Sequence, residues 1–326
     1  MLFNTTEKGA RTVSEPNPSG APPNFVNQRN YTLLFMVALS LVCAIILSTL
    51  ASALKTPQEM AKELDRSKQM LIAARILSPY GYFEIKDKEG LFTPAQFEKG
   101  GILVPASKEI IPSQDQILEV YRTRIEGFLV NDKGEATTFK EKGINEDAYV
   151  QDFRKTGYYN QSEKLIYKIY DNPSAGDNNQ KKERRVIGYV IPINGMGLWD
   201  AIYGYLAIEP DANTVIGISW YDQKETPGLG ANIAEPQWQS QFPGKHIFQE
   251  SSDGKTDFLT APLGITVVKG KVKEVLANSP KALSAVDGMA GATLTGNGVT
   301  NAYRDVLAAY RPFLIRLHNQ YEKKDK

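Results

Sequence analysis

Apolar residues are distributed unevenly along the chain, and their pattern predicts one membrane-spanning helix followed by a mixed domain. Residues 31–54 (YTLLFMVALSLVCAIILSTLASAL) carry no charge, and their length suits the roughly 20 apolar residues that cross a bilayer. A cleavable signal peptide is the alternative, because residues 51–53 (ASA) resemble a cleavage site. The run exceeds the apolar core of a signal peptide and follows a long polar segment, so we expect a retained anchor in the lipid bilayer.

The segments on either side of the span differ in character. Residues 1–30 are rich in Pro, Ser, Asn and Gly, which is typical of a disordered tail. Residues 55–79 open with Thr56, Pro57 and Glu59, the pattern of a capped helix start, and predict a juxtamembrane helix that ends at Leu77. Lysine and arginine lie on both sides of the span, so charge counting leaves its orientation open.

From residue 80 onwards, short β-type runs alternate with turn residues, which predicts an α+β domain over residues 80–326. Several of the predicted strands are apolar on both faces and should be buried; the strands are residues 185–193, 201–210, 214–222 and 264–272. Apolar residues between Val299 and Leu317 recur at helical spacing. They predict a last helix that begins near Asn297 and is kinked at Pro312.

Composition limits the chemistry that the chain can perform. It has 326 residues with 38 Lys and Arg against 37 Asp and Glu, a balance that favours no nucleic-acid partner. One Cys and two His cannot supply the usual ligand sets of zinc, iron–sulfur or haem sites, so no metal site is predicted. Without a nicotinamide-binding fingerprint, neither a hydride-donor site nor a catalytic residue is expected.

A glycine-rich segment, residues 287–299 (DGMAGATLTGNGV), precedes the predicted last helix. Glycine allows close approach of the backbone, and free N–H groups at a helix start favour an anion, so the segment is a candidate phosphate site. We expect Thr295 to cap the helix or to donate to a phosphate, and the N–H groups of residues 295–299 to be free. A tight turn without a ligand is the alternative, since neither common phosphate-loop pattern is present.

The first seven residues of this segment resemble a flavinylation motif, Asp-x-x-(Ser/Thr)-Gly-Ala-Thr, in which a flavin transferase attaches FMN to the last threonine through a phosphoester. Asp287, Gly291, Ala292 and Thr293 match the motif, which implies that Thr293 carries the FMN. Ala290 departs from the motif because it stands where serine or threonine is usual. The departure removes one hydroxyl donor from the loop.

Two further segments are similar to turns of the same FMN-binding domain family. Residues 194–200 (NGMGLWD) resemble its Gly-x-Gly-Leu-Trp turn, and residues 225–230 (ETPGLG) resemble its Glu-Thr-Pro-Gly-Leu-Gly signature. The resemblance makes Leu198 and Trp199 candidates for one wall of an apolar slot for the isoalloxazine ring, and Leu229 for the opposite wall. A core aromatic beside a turn is the alternative for Trp199.

The second of these segments also offers polar groups. Glu225 is expected to orient Thr226, while Gly228 helps to bring backbone amides near the polar edge of the ring. The alternative is a strand-to-loop turn in which Glu225 is solvated. A histidine often stands two residues before this signature, whereas this chain has Gln223, so no proton transfer is assigned there.

With the N-terminal span, these segments make the chain beyond residue 30 resemble the C-type subunit of the sodium-translocating NADH:quinone reductase (Nqr). The resemblance implies an electron-relay subunit of an NADH:ubiquinone reductase, inactive alone, with other membrane subunits and a flavin transferase as partners. It also implies an inner-membrane location with the domain in the periplasm. Two alternatives are the G-type subunit of an Rnf-type electron transport complex, disfavoured by the long segment before residue 197, and a non-redox sensory or structural module.

Overall fold

The computed structural model describes residues 25–87, 90–173, 184–251 and 253–324. Residues 1–24 of the predicted disordered tail lie outside these ranges. The chain divides into two compact units, the first ending at Met60 and the second beginning at Ala61. The second unit contains every segment that the sequence analysis connects with FMN.

The described part of the first unit, from Phe25 onwards, is the N-terminal part of one long helix, α1 (Phe25–Ala73). Its stretch Asn30–Lys55 has the length and apolar composition of a membrane span, and its side chains are exposed. The predicted separate helix beginning at Thr56 is not observed, because α1 continues through Pro57. The side chains of Thr56 and Glu59 lie outside the described residues, so the expected capping pair is not described.

The C-terminal end of α1 belongs to the second unit and is buried there. Met70 and Leu71 are fully buried, and the helix ends at Ala73, four residues before Leu77, where the prediction ended it. Arg75 adopts a left-handed backbone conformation with φ of 52°, and the N–H of Ile76 donates to the carbonyl of Leu71 at 2.9 Å. This closing arrangement is the usual end of a helix and explains the earlier stop.

Two antiparallel sheets and short helices follow. A three-stranded sheet is formed by β1 (Phe83–Lys86), β2 (Phe92–Glu98) and β3 (Ile102–Pro105). A six-stranded sheet has the order β5-β4-β6-β7-β8-β9, with β4 (Ile125–Val130), β5 (Ala136–Thr137), β6 (Lys164–Tyr170), β7 (Val186–Met196), β8 (Ala201–Ile208) and β9 (Val215–Asp222). The helices between strands are α2 (Gln114–Arg124), α3 (Phe139–Lys142) and α4 (Glu146–Phe153).

The C-terminal part of the chain returns across this sheet. It contains α5 (Pro236–Gln239), β10 (Thr266–Val267), α6 (Val272–Val275), β11 (Ala285–Val286) and α7 (Thr293–Lys324). Short 3-10 turns lie at Tyr158–Asn160, Gly230–Ala234 and Pro280–Ser284. β10 and β11 pair in parallel. The architecture is α+β, as predicted.

Both faces of the six-stranded sheet are buried. Ile166 and Ile193 face the core that includes α7, whereas Leu165 and Tyr167 face the core that includes the end of α1 and α2. Because successive side chains of a strand point to opposite faces, a strand covered on both sides is expected to be mostly apolar on both faces. The predicted strands 185–193, 201–210 and 214–222 are confirmed as β7, β8 and β9 for this reason.

Two predicted elements differ from the structure. Only Thr266–Val267 of the expected strand 264–272 is extended, because the flanking Gly264 and Gly270 have left-handed φ angles of 118° and 111°. The last helix begins at Thr293 rather than near Asn297 and continues through Pro312. Its apolar positions are buried as expected; they are Val299, Ala302, Tyr303, Val306, Leu307, Tyr310, Phe313, Leu314 and Leu317.

The turn between β4 and β5 approaches α7 so closely that only glycine fits at position 134. A Cβ on Gly134 would lie 2.5 Å from the amide nitrogen of Phe313. Gly134→Ala should therefore lower the free energy of unfolding by about 1–3 kcal/mol through overpacking, in addition to the backbone strain of its positive φ. Chemical denaturation of the full chain in detergent measures the loss.

Gly143→Ala is the matched control for this prediction. Gly143 also has a positive φ, of 66°, but a Cβ there would meet nothing within 4 Å. Gly143→Ala should therefore lower the free energy of unfolding by the backbone strain alone, about 1–2 kcal/mol. Equal losses in the two variants would show that the contact with α7 is not a steric constraint.

Candidate functional site

The candidate site lies where β7, β8 and β9 end on one edge of the sheet. β7 and β8 pair up to Met196 and Ala201, so residues 197–200 form the turn between them. β8 pairs Tyr203 with Asp222 of β9, and this register brings residues 223–230 beside that turn. The loops that resemble the two FMN-family segments are therefore neighbours because the strands are antiparallel.

The start of α7 completes the site. A Cβ on Gly298 of α7 would lie 2.2 Å from the carbonyl oxygen of Met196, so the first turns of this helix lie directly on the end of β7. Thr293 is exposed at the first helical position. The structure thus brings the glycine-rich segment to the same edge as the two turns.

A buried carboxylate, that of Glu225, joins the three segments. Only 5% of Glu225 is exposed. Its Oε1 accepts hydrogen bonds from the N–H groups of Leu198 and Trp199 at 2.9 and 3.1 Å, and its Oε2 accepts one from the hydroxyl of Thr295 at 2.5 Å. Such charge-assisted bonds are stronger than those between neutral groups.

These contacts correct two expectations about polar groups. Glu225 was expected to orient Thr226 or to be solvated, but it is buried and holds the turn at Trp199 and the hydroxyl of Thr295. The hydroxyl of Thr226 instead accepts a hydrogen bond from Nε1 of Trp199 at 3.1 Å. The reason is the sheet register, which places residues 198 and 199 opposite Glu225.

Thr295 has a different place from the one expected. It lies inside the first turn of α7, is 1% exposed and donates to Glu225, so it does not cap the helix. The N–H groups expected to be free also shift toward the N-terminus, because the N–H of Gly296 already donates to the carbonyl of Ala292 at 3.0 Å. The N–H groups without intrahelical partners are those of the first turn, beginning at Thr293, where the helix dipole is positive.

The edge where these segments meet carries exposed apolar side chains as well as the exposed Thr293. They come from all three segments and are Met196, Leu198, Trp199, Leu229 and Leu294. Trp199 is 67% exposed, which excludes the alternative of a core aromatic. A Cβ on Gly291, whose φ is 73°, would lie 3.0 Å from Cδ2 of Leu229, so Leu229 lies next to the glycine-rich segment.

Asp287 is half-buried and is held by three hydrogen bonds. Its Oδ1 accepts a hydrogen bond from the N–H of Val272 at 2.8 Å, and its carbonyl oxygen accepts one from Nε1 of Trp238 at 3.0 Å. Its N–H donates to the side chain of Gln241. Asp287 therefore fixes the start of the glycine-rich loop against α5 and α6, a structural role that the motif alone does not reveal.

An ion pair at the surface links the first two segments. Lys224 donates to Asp200, and this hydrogen bond holds the pKa of the Asp200 carboxyl below its usual value. Because both side chains are exposed, the pair contributes little to stability. Among the described residues, no group of three His, Cys, Asp or Glu side chains is placed to bind a metal ion.

A large cavity lies elsewhere in the second unit. It has a volume of about 1110 Å³ and is lined by parts of β1, β6, β7 and α7. Charged residues at its wall pair with each other, as Lys86 does with Glu209 and Arg185 with Asp171. None of the residues that resemble the FMN family lines this cavity.

Sequence reasoning missed several residues of the site. Gln223 was noted only as a departure, yet its side chain accepts a hydrogen bond from the N–H of Glu225 at 2.6 Å. Met196 and Leu294 add exposed apolar surface. Their position next to the recognised motifs was the only available signal.

The geometry agrees with the comparisons to known proteins. The FMN-binding domain family matches residues 197–308, a range that contains residues 225–230 and 287–299 in full and residues 197–200 of the first segment. Residues 197–308 are therefore an FMN-binding domain, and the chain has an additional N-terminal region before it.

Relatives narrow the class to NqrC, the C-type component of the Na(+)-translocating NADH-quinone reductase. The NqrC protein of Chlamydia pneumoniae is 43% identical over 92% of this chain and 96% of its own length. That of Chlamydia caviae is 43% identical over 91% and 95%. The crystal structure of NqrC from Parabacteroides distasonis is 23% identical, with a TM-score of 0.48, over 80% of this chain and 96% of its own. The chain belongs to the NqrC family.

The exposure of Trp199 gives a prediction about stability. Trp199→Ala should lower the free energy of unfolding by less than about 1 kcal/mol, because the side chain is mostly in solvent. Trp238, 7% exposed, is the matched control, and Trp238→Ala should cost about 3–5 kcal/mol. Chemical denaturation followed by tyrosine and tryptophan fluorescence measures both. A loss at Trp199 as large as that at Trp238 would contradict its placement at the surface.

Proposed function

We propose that this chain is an electron-relay subunit of a sodium-translocating NADH-quinone reductase and carries FMN attached to Thr293 by a phosphoester. The observation that carries the proposal is the convergence of three distant segments on one edge of the sheet. They place an exposed threonine at a helix start beside exposed apolar side chains. Membership of the NqrC family supports the role as a flavoprotein relay.

The residues present fit a riboflavin phosphate. At one end, the positive start of α7 and the glycine-rich turn at Gly291 suit a phosphate group. At the other, Leu198, Trp199 and Leu229 are apolar and accessible, as a planar ring requires. Ala290 is exposed, so the missing hydroxyl of the motif leaves no gap in the core.

Bound FMN supplies reversible electron transfer, and the protein supplies its position and surroundings. A phosphoester at Thr293 retains the flavin without an enclosing pocket, which leaves one edge open to redox partners. Ala292 is buried next to Thr293 and Gly291 is exposed, so small residues leave the acceptor hydroxyl accessible to a flavin transferase. The electron donor and acceptor are then other membrane subunits of the complex.

The membrane arrangement follows from the same family. We propose that Asn30–Lys55 is retained as a single anchor in the inner membrane and that the second unit faces the periplasm. The matching relatives are NqrC proteins over nearly their full length, which favours this function over that of the G-type component of an Rnf complex. A non-redox module would lack bound flavin, and this difference is measurable.

The attachment residue is tested by two threonine variants. Thr293→Val should abolish covalent FMN in protein made together with its flavin transferase, because valine keeps the shape but has no oxygen to form the ester. Thr295→Val should retain FMN on Thr293, since the hydroxyl of Thr295 is buried against Glu225. In-gel flavin fluorescence of denatured protein and peptide mass spectrometry measure the result.

Wild-type protein made without the transferase is the negative control for this comparison. FMN mass on Thr295, or no adduct within residues 287–299 of wild-type protein made with the transferase, would contradict the assignment. Absence of any covalent flavin in that protein would instead favour the non-redox module.

The proposed topology gives a separate prediction. Protease added to intact spheroplasts should digest the second unit, because it is expected outside the cytoplasm on a retained helix. Immunoblotting against the C-terminus measures the loss of full-length chain, with a cytoplasmic protein as the control for intact membranes. Protection of the domain, or a mature N-terminus near Ala53, would contradict a retained anchor with a periplasmic domain.

A further inference from the structure

Each oxygen of the Glu225 carboxylate serves a different segment. Oε1 accepts both hydrogen bonds from the turn that carries Leu198 and Trp199, and Oε2 accepts the hydrogen bond from Thr295 on α7. The carboxylate therefore bridges the turn that presents Trp199 and the helix start that presents Thr293. Its partners lie 26 to 70 residues away along the chain.

Glycines at two positions make room for this carboxylate. A Cβ on Gly197 would lie 2.4 Å from Oε1 of Glu225, and a Cβ on Gly230 would lie 2.7 Å from Oε2. Larger residues at either position would displace the carboxylate from its donors. The two glycines thus leave room for both oxygens of the Glu225 carboxylate.

A buried carboxylate is a costly way to hold segments together. Desolvation of the charge opposes the gain from its hydrogen bonds, and apolar packing can often provide equal stability. Directional bonds differ from apolar packing because they fix distance and orientation between the groups they join. A carboxylate with all its donors from two separate segments suits a role in positioning.

We infer that Glu225 is a positioning residue that sets the separation between Trp199 and Thr293. Thr295 and Thr293 lie within one turn of α7. The position of Thr295 therefore determines that of Thr293. On the other side, Trp199 is held twice, by its N–H to Glu225 and by its indole to Thr226. This inference rests on the proposed function for its consequence, which is that flavin tethered at Thr293 meets Trp199.

The three tryptophans of the chain allow a direct test without flavin. Trp199 belongs to the site, whereas Trp220 and Trp238 are buried in the core and report the overall fold. Full-length protein labelled with 5-fluorotryptophan and held in detergent should give separate fluorine NMR resonances, with that of Trp199 assigned from Trp199→Phe.

In Glu225→Gln, the charge and one acceptor are lost while the shape is kept. The Trp199 resonance should move toward its position in denatured protein, and those of Trp220 and Trp238 should stay in place. Thr295→Val, which removes only the Oε2 partner, should cause a smaller shift in the same direction and decides the matter if Glu225→Gln does not fold. Glu235→Gln is the matched control, because Glu235 is exposed and its side chain does not cap α5.

The second measurement uses protein that carries FMN. Flavin fluorescence of the native holoprotein should rise severalfold in Glu225→Gln relative to Glu235→Gln, because an indole in contact with the ring quenches it and the mispositioned indole does not. Mass spectrometry confirms equal FMN content in the compared samples. A residue that only stabilised the fold would leave this fluorescence unchanged in protein that remains folded.

Several results would overturn the inference. A Trp199 resonance at its wild-type position in both Glu225→Gln and Thr295→Val would do so, as would movement of all three resonances together in both variants. Failure of wild-type protein to acquire FMN would refute the proposed function instead, and the fluorine spectra of the flavin-free protein would still decide the role of Glu225.

Discussion

A carboxylate shielded from water needs hydrogen-bond donors on both oxygens, and in this protein that requirement joins the parts of the site. Glu225 satisfies it with two backbone N–H groups from the turn after β7 and one hydroxyl from α7. Removing any of these donors would leave a buried acceptor with an unmade hydrogen bond, which costs about 1–3 kcal/mol or more. The turn, the loop after β9 and the helix start therefore depend on one another for their positions.

The strand order of the sheet brings these segments together. Because β7, β8 and β9 are consecutive antiparallel strands, the turn between the first two and the exit from the third lie on the same edge. α7 crosses the sheet with its apolar stripe buried and brings its N-terminal turn to that edge. The core on the opposite face of the sheet includes Met70 and Leu71 of α1 and contains none of the site residues. The fold therefore does not depend on burying the exposed apolar side chains of the site. Exposed apolar side chains can therefore lie at that edge, as Thr293 does, without weakening the core.

Sequence reasoning found the elements whose burial is uniform. The strands β7, β8 and β9 were recognisable because both of their faces are covered, and α7 because its apolar positions repeat at helical spacing. The strand expected over residues 264–272 was wrong, since apolar content there reflects contact with α7 while glycines with left-handed φ interrupt the extension. The start of α7 was placed too late because Gly296 and Gly298 are poor helix formers, yet Gly296 packs closely against Val267 and Gly298 against Met196 within the helix.

Part of the site could likewise be predicted from the sequence, and part could not. The resemblance to the FMN-binding domain family brought attention to the three segments, and the structure places them together. The partners of Glu225 were beyond reach, because they lie far away in sequence and depend on strand register. For Trp199, the sequence left open a wall of the ring slot or a core aromatic; its exposure excludes the core, and its place in the slot stays a prediction. A local pattern identifies which residues matter, whereas the tertiary structure decides which of them meet.

The most direct test of FMN attachment at Thr293 is a density map of the full-length chain produced together with its flavin transferase, at a resolution that shows individual side chains. If Thr293 carries the FMN, the map will show continuous density from its hydroxyl oxygen to a phosphate, a flavin ring beside Trp199 and Leu229, and Glu225 still bonded to Thr295. Flavin joined to another residue, or located away from the turn at residues 197–200, would contradict it.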